Sequence, residues 1–290
     1  ITQSLAAAAR ELKVEIRCEA EVARILVKDG TVHGIALANG EECHAPVVAS
    51  NADAHVTFTR LLDSKQLPPE FSAAVSRISY ESASLKINVA LDELPNFLAC
   101  PGLEPGPHHR GTIHISPDLD YIERAFDDAK YGQPSQRPIL ECTIPSVVDP
   151  TVAPPGKHLM SIFVQYAPYK LRGATWDDLR ESVADRCFAL LNEYAPNFQR
   201  SVLARQVLTP LDLERTFNLT GGNIFQGAMT LNQLFACRPV PGFANYRTPI
   251  KGLYLCGAAA HPGGGVMGTA GQNAAREILR ATSLKRFSPL

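Results

Sequence analysis

Residues 252–275 read GLYLCGAAAHPGGGVMGTAGQNAA, and the three parts of this stretch predict a strand, a turn and a helix. The run GLYLCG at 252–257 is typical of a short buried strand. Three consecutive glycines at 263–265 form the turn, where the lack of a Cβ lets the backbone approach a flat ligand closely. The pattern that follows predicts a helix opening near residues 266–268.

A strand, a glycine-rich turn and a helix in this order can bind a negatively charged or dipolar ligand. The first N–H groups of a helix have no intrahelical partner and point outward. The helix dipole favours negative charge at the same end. A glycine-rich turn is also found as a tight packing turn, and the pattern alone leaves both interpretations open.

The first quarter of the chain predicts a helix followed by a three-stranded meander. Residues 1–12 open in a helical pattern rich in alanine. Beyond it, the dipeptides Asp29-Gly30 and Asn39-Gly40 favour two-residue hairpin turns between three strand-like runs. A short buried strand at 47–49 and a helix at 54–62 are predicted next.

Prolines punctuate the middle of the chain and separate further strand-like runs. Because proline cannot donate to a ladder, it belongs between strands or at sheet edges. We expect a mixed, mostly antiparallel sheet with long loops. Its predicted strands are residues 84–91, 111–115, 139–144, 159–166 and 203–209.

One helix is clearly marked within this region, and a glycine-bearing loop follows the sheet. Thr175 and Asp178 form a capping-box pattern, and the helix they begin ends before Pro196. Residues 209–230 are predicted as the loop.

The composition excludes several classes of function. With 28 Lys and Arg against 29 Asp and Glu in 290 residues, the formal net charge is −1. Such a balance argues against a nucleic-acid partner, whose usual footprint is a basic face. No run of about 18 apolar residues predicts a membrane span. The seven cysteines form no Cys-x-x-Cys pair, so we expect buried, reduced thiols.

No metal site is predicted. His108, His109 and His114 lie close in sequence, but nothing fixes their convergence and no thiol or carboxylate supports them. A solvated, proline-rich loop is the favoured interpretation. Cys256, placed within the predicted strand, is expected to be inert because burial raises the pKa of a thiol.

Three tyrosines in the middle region leave two interpretations open. Tyr80, Tyr166 and Tyr169 are compatible with a substrate cavity or with ordinary positions on a sheet. No arrangement of Ser, His and Asp in a nucleophile-elbow context is found.

The complete stretch at 252–275 resembles the C-terminal FAD motif of phytoene desaturase and amine-oxidase-type FAD oxidoreductases. That family typically has a strand, then Gly-Ala-Gly-Thr-His-Pro-Gly-Gly-Gly-Val-Pro-Gly, then a helix. The chain differs at Ala259, Ala260 and Met267, where the family often has Gly, Thr and Pro. The likeness extends to residues 14–53, with the meander, and to 209–227, TPLDLERTFNLTGGNIFQG.

The resemblance implies an FAD-dependent oxidoreductase whose flavin accepts a hydride from a small apolar or amine-type substrate. It implies that Val22 offers its backbone to the adenine and that the loop holds the flavin ring. His261 is expected to contact the flavin or the substrate, or else to cap the loop. The implied cofactor-binding residues are Val22, Gly257, Ala258, His261, Gly263, Gly264, Gly265, Val266, Met267 and Gly268. No catalytic residue is identified.

Members of this family open with a βαβ unit that carries Gly-x-Gly-x-x-Gly, and no such motif occurs here. We therefore expect an incomplete α+β fold that lacks this N-terminal unit, and a C-terminal fragment that binds FAD weakly or not at all. Residues 1–62 and 213–290 are predicted as portions of an FAD domain, and residues 63–212 as a substrate domain.

The resemblance is strongest to a mitochondrial member of the group, which implies the mitochondrial matrix. The first residues carry no targeting signal, since they lack a basic region and a continuous apolar core. The alternative function is a non-catalytic regulatory or interaction protein that uses the same scaffold with a mitochondrial protein partner.

Overall fold

The computed structural model describes residues 1–81 and 84–286. Its helices are α1 (Thr2–Glu11), α2 (Pro69–Ser76), α3 (Pro107–Arg110), α4 (Leu119–Lys130), α5 (Trp176–Tyr194), α6 (Phe198–Ser201), α7 (Pro210–Phe217) and α8 (Thr269–Arg286). Its strands are β1 (Val22–Lys28), β2 (Thr31–Leu37), β3 (Glu42–His44), β4 (Val48–Ser50), β5 (Ser84–Leu91), β6 (Ile113–Ile115), β7 (Ile139–Thr143), β8 (His158–Gln165), β9 (Val202–Leu208) and β10 (Leu253–Leu255). This combination of helices and sheets confirms the coarse α+β class.

The chain forms two compact units. Unit 1 is Ile1–Ile78 together with Met229–Leu290, and unit 2 is Ser79–Ala228. An inserted middle segment was predicted, but both of its observed boundaries lie later in the chain than the predicted 62/63 and 212/213. The roles of the units as cofactor and substrate domains remain predictions.

Unit 1 contains the predicted meander. Strands β1, β2 and β3 are antiparallel neighbours in that order. Asp29 and Gly30 have φ values of 49° and 69°, the left-handed conformation that a two-residue hairpin turn needs. A Cβ on Gly34 would lie 2.1 Å from the carbonyl oxygen of Cys43, so glycine is required where β2 passes β3.

A two-stranded parallel pair, β4 and β10, precedes the glycine-rich loop in unit 1. β10 is buried at all three positions, as predicted. The prediction for β4 was wrong in burial, because Ala49 is exposed and only Ser50 is fully buried. The predicted helix at 54–62 includes a π-helical turn at Val56–Arg60 and ends earlier than expected.

The core of unit 1 joins the meander to the parallel pair. Ile25 and Val32 from the meander share one buried cluster with Leu253 and Leu255 from β10. The ring centroid of Phe71 lies 4.8 Å from that of Phe58, in an edge-to-face contact. Aromatic pairs of this geometry stabilise a core beyond the area they bury.

Unit 2 is built on a five-stranded sheet with the order β6-β7-β8-β5-β9. All four neighbouring pairs are antiparallel, which confirms the predicted antiparallel character and corrects the expectation that the sheet would also contain parallel pairs. The burial of β5 alternates residue by residue, with Leu85, Ile87, Val89 and Leu91 inside. Such alternation is typical of an antiparallel sheet with one packed face.

The helices of unit 2 confirm one prediction and correct another. α5 begins at the predicted capping box of Thr175 and Asp178, and Trp176 donates its Nε1–H to the carbonyl oxygen of Pro168 at 3.0 Å. The prediction of a loop throughout 209–230 was wrong, because α7 opens there. Its capping box is formed by Thr209 and Asp212.

Along the described residues, none of the helices combines the length and the apolar character needed to cross a bilayer.

Candidate functional site

The glycine-rich loop begins directly after β10 and is fixed at its base by backbone hydrogen bonds. The amide of Cys256 donates to the carbonyl of Ser50 at 2.8 Å, which extends the parallel pair by one residue. Two successive turns follow, with Ala260 N–H donating to Gly257 and Gly263 N–H donating to Ala260 at 3.1 and 2.9 Å. The small residues at 258–260 are therefore part of a folded base.

Ala259 and Ala260 are part of this base. The family that the chain resembles often has Gly and Thr at these two positions. Ala259 and Ala260 are 2% and 1% exposed and belong to the core of unit 1. Their methyl groups fill apolar space beneath the loop, which explains why small apolar residues suit these positions.

The outer half of the loop projects into solvent. Val266 is 95% exposed and Met267 is 58% exposed. Within the described part of the chain, the amides of residues 264–267 donate to no acceptor. α8 begins at Thr269, and its first hydrogen bond runs from Gln272 N–H to Gly268 at 3.0 Å. A loop folded inward with its amides already paired would have excluded a ligand, and this arrangement is not observed.

His261 lies between the base and the outer half, next to a cis peptide bond with Pro262. Its carbonyl oxygen accepts a hydrogen bond from the Tyr246 hydroxyl at 2.9 Å. Its Nδ1 atom is buried and has no hydrogen-bond partner among the described residues. A buried polar atom without a partner destabilises the fold unless something else satisfies it.

The inner face of the loop is closed by two side chains that the sequence did not single out. A Cβ on Gly263 would lie 2.9 Å from Met229 Sδ and 3.3 Å from Arg238 Nε. Arg238 is 2% exposed, and its Nε–H donates to the carbonyl oxygen of Ala258 at 2.9 Å. No sequence signal marked it, because a lone arginine before a proline is unremarkable in composition and periodicity.

These features fit one edge of a flavin ring. Unpaired amides on consecutive residues create positive potential where a negatively polarised oxygen or nitrogen can lie. Exposed apolar side chains at Val266 and Met267 can cover part of a flat ring. The rest of the dinucleotide has no recognisable phosphate-binding motif in these residues.

Val22 is not part of this loop. It is the first residue of β1, half-buried, and it lies opposite Leu37 in the meander. The meander does connect to the strand before the loop, since Val32 N–H donates to Lys251 and Lys251 N–H donates to Gly30, both at 2.9 Å. The structure thus brings the predicted loop residues together and places Val22 in the neighbouring sheet.

The tyrosines in unit 2 have different surroundings. Tyr169 donates its hydroxyl proton to the Glu214 carboxylate, which also accepts from Gly221 N–H at 2.9 Å. Tyr166 lies edge-on to Phe126, with ring centroids 5.5 Å apart. A role in lining a cavity stays a prediction for all three, Tyr80 included.

The interpretation of the histidines as a solvated loop was wrong for His109. It is fully buried in α3, where Nδ1 accepts from Gly106 N–H at 3.1 Å and Nε2 lies 3.0 Å from Pro95 O. Both ring nitrogens are thus occupied by backbone groups, and burial lowers the pKa of the imidazole. His114 is exposed on β6. Over residues 1–81 and 84–286, no group of three or more metal-ligating side chains is found.

Lys86 on β5 is a partly buried polar side chain that no motif in the sequence marks. Its Nζ donates to the Ser161 hydroxyl at 2.5 Å across the sheet, and burial lowers its pKa. Phe163 and Leu208 are its cross-strand neighbours. The alternating pattern of β5 placed it on the less buried face of the sheet.

The expectation that the cysteines are buried was wrong for some of them. Cys142 and Cys187 are buried, Cys18 and Cys100 are exposed, and no pair is disulfide-bonded. Cys256 follows β10 and is half-buried, and burial raises the pKa of its thiol.

No protein-family model matches the chain. It is 48% identical over 287 residues to the rat pyridine nucleotide-disulfide oxidoreductase domain-containing protein 2, a match that covers 97% of this chain and 49% of the relative. It is 29% identical over 262 residues to the lycopene-forming phytoene desaturase of Pseudescherichia vulneris, with 89% of this chain and 49% of the enzyme covered. The chain therefore spans about half the length of the curated relatives it matches.

Two solved structures share the fold. An oxidoreductase from Methanosarcina mazei has a TM-score of 0.62 at 22% identity, covering 97% of this chain and 53% of that one. A triple mutant of putrescine oxidase with a redesigned cofactor site has a TM-score of 0.55 at 13% identity, covering 97% and 51%.

The resemblance expected from residues 252–275 is thus confirmed: the chain is similar, along nearly all of its own length, to pyridine nucleotide-disulfide oxidoreductase domain-containing protein 2 and to phytoene desaturase, and it shares its fold with putrescine oxidase.

Proposed function

We propose that this chain forms part of a flavin-dependent oxidoreductase and that the loop at residues 263–268 holds the polar edge of the flavin ring. The observation that supports the proposal is the row of amides without an acceptor in an exposed loop segment whose base is hydrogen-bonded. A surface of this kind stabilises negative charge on a ligand without needing to reorganise.

The side chains around the loop supply the remaining contacts. The amides of residues 264–267 and the start of α8 favour negative charge on the ring edge. Val266 and Met267 cover apolar ring atoms and exclude water. The flavin, when bound, supplies two-electron chemistry as a hydride acceptor. The chain's own groups bind and orient the cofactor, and no catalytic acid or base is assigned.

The finer parts of the proposal are FAD as the flavin, Val22 as a backbone contact to its adenine, and a substrate of apolar or amine type. Phytoene desaturase and putrescine oxidase, two proteins similar to this chain, are named for an apolar and an amine substrate respectively. We also propose a mitochondrial location, which imaging of the tagged protein with a matrix marker would test.

Titration of the chain with riboflavin and with FAD, followed by quenching of flavin fluorescence, tests the proposed function. We expect saturable but weak binding of both flavins. The Gly265→Val variant should weaken binding at least tenfold, because a branched side chain at φ 130° disturbs the exposed loop. Gly242→Val is the matched control: it also replaces a positive-φ glycine in unit 1, with open space around it, and should leave binding unchanged.

Each alternative result has a distinct meaning. If neither flavin binds at saturating concentrations, or if both variants bind like the original chain, the proposed site is wrong. A protein that binds no flavin but captures a defined protein partner would favour the non-catalytic alternative. Sub-micromolar binding of FAD would support the site and contradict the expectation that this chain alone binds weakly.

A further inference from the structure

A buried arginine lies behind the glycine-rich loop. Arg238 is 2% exposed, and besides its bond to Ala258 its Nη1–H donates to the carbonyl oxygen of Gln233 at 3.2 Å. The guanidinium keeps its charge in proteins. Burial of a charge is unfavourable unless its hydrogen bonds are satisfied, so a neutral apolar side chain would fill this space at lower cost.

The guanidinium is close to the loop backbone. A Cβ added to Gly263 would lie 3.3 Å from Arg238 Nε. The arginine side chain therefore borders the position that a side chain on Gly263 would occupy. Its bond to Ala258 O holds the segment between β10 and the first turn of the loop. The same group therefore fixes the base of the loop and adds positive potential next to Gly263.

We propose that Arg238 is the positioning residue of the flavin loop and that its charge raises the reduction potential of the bound flavin. The inference rests on the proposed function. Reduction adds electrons to the ring, so a fixed positive charge behind the ring edge stabilises the reduced form more than the oxidised form. The carbonyl bonds of Arg238 fix the loop so that its amides point toward the cofactor.

Two variants separate these effects. Arg238→Lys keeps the charge but places its donors on a single nitrogen, whereas Arg238→Gln removes the charge and keeps an amide NH₂ that can donate. Both are compared with the original chain. Exchange at Val32 in the meander of unit 1, whose amide is bonded to Lys251 O, reports whether unit 1 remains folded in each variant.

Amide hydrogen exchange of the unliganded chain tests the positioning role. In the original chain the amides of Ala260 and Gly263 are hydrogen-bonded and should be protected. We expect Arg238→Gln to accelerate their exchange about tenfold, with a smaller effect for Arg238→Lys and none at Val32. Unchanged exchange at Ala260 and Gly263 in both variants would overturn the positioning role.

The midpoint potential of bound flavin tests the charge. We expect Arg238→Gln to lower it by about 30 mV, which is tenfold in the equilibrium constant of a two-electron couple. The midpoint potential of flavin bound to Arg238→Lys should lie close to that of the original chain. Equal potentials in all three proteins, or equal losses in both variants, would overturn the electrostatic role. If the original chain binds no flavin, the proposed function and the electrostatic role fail together, and the exchange experiment still decides the positioning role.

Discussion

Tyr246 donates its hydroxyl proton to the carbonyl oxygen of His261 at 2.9 Å, and the same hydroxyl accepts from Asn273 Nδ2 at 2.8 Å. The phenol thus joins the glycine-rich loop to α8. Tyr246 is half-buried, so water cannot fully replace these bonds.

Replacement of Tyr246 by Phe should destabilise unit 1. Loss of the hydroxyl leaves His261 O and Asn273 Nδ2 unsatisfied, which costs about 1 kcal/mol in the free energy of unfolding. Chemical denaturation followed by circular dichroism measures this change. Tyr131→Phe, at an exposed residue, is the control and should stay within about 0.5 kcal/mol. Equal effects of the two substitutions would contradict the role of Tyr246.

Gly263→Ala should lower stability by about 1–3 kcal/mol, since the residue is held at φ 105° in a region that alanine rarely occupies. The added Cβ also crowds the Met229 thioether, which can move. Gly111→Ala has open space and a φ of −101°, and should leave stability unchanged or slightly raised. If Gly263→Ala left the free energy of unfolding unchanged, the loop would have a conformation other than the one described.

Stability should fall in acid through His109 and His158. Burial lowers the pKa of both imidazoles below the ordinary value of about 6.5. Between that value and the lowered pKa, the unfolded chain binds more protons than the folded chain. The free energy of unfolding should therefore decline as pH falls below about 6.5, and this contribution should be constant above it.

The slope of unfolding free energy against pH tests this expectation. His109→Asn should flatten the slope between about pH 5 and 7, whatever its effect on stability at neutral pH. The matched control, His114→Asn, alters an exposed histidine on β6 and should keep the original slope. A slope that is unchanged in His109→Asn would refute the assignment.

The thiols should react in the order of their exposure. Burial raises the pKa of Cys187 to about 12 and also raises that of Cys142, so both should resist a maleimide until the chain unfolds. Cys18 and Cys100 are exposed and should be labelled first. Peptide mass spectrometry after timed labelling measures the order. Rapid native labelling of Cys142 would show that the unit 2 core is not packed as described.

Local sequence signals predicted the elements whose shape depends on a few neighbouring residues. The Asp29-Gly30 turn and the glycine-rich loop follow from backbone conformations that glycine permits. α7 was missed although Thr209, Pro210 and Asp212 carry an N-terminal helix signal, because the following glycines favoured a loop. Here the capping box of Thr209 and Asp212 begins an eight-residue helix, although the composition of the longer segment favoured a loop.

Features that depend on distant parts of the chain could not be predicted in this way. The buried ring of His109 places Nε2 3.0 Å from the carbonyl oxygen of Pro95, fourteen residues earlier. Arg238 is bonded to a carbonyl twenty residues later in the chain. The strand direction in unit 2 likewise depends on which strands become neighbours. No periodicity in the sequence encodes these contacts.

In the proposed complex the amides of residues 264–267 lie against the cofactor. Amide resonances of the ¹⁵N-labelled chain, followed during titration with FAD, test it most directly and tolerate weak binding. We predict saturable shifts at residues 264–267 and none at β5. Saturable FAD binding with shifts confined to other parts of the chain, or no shift at all, would contradict the claim.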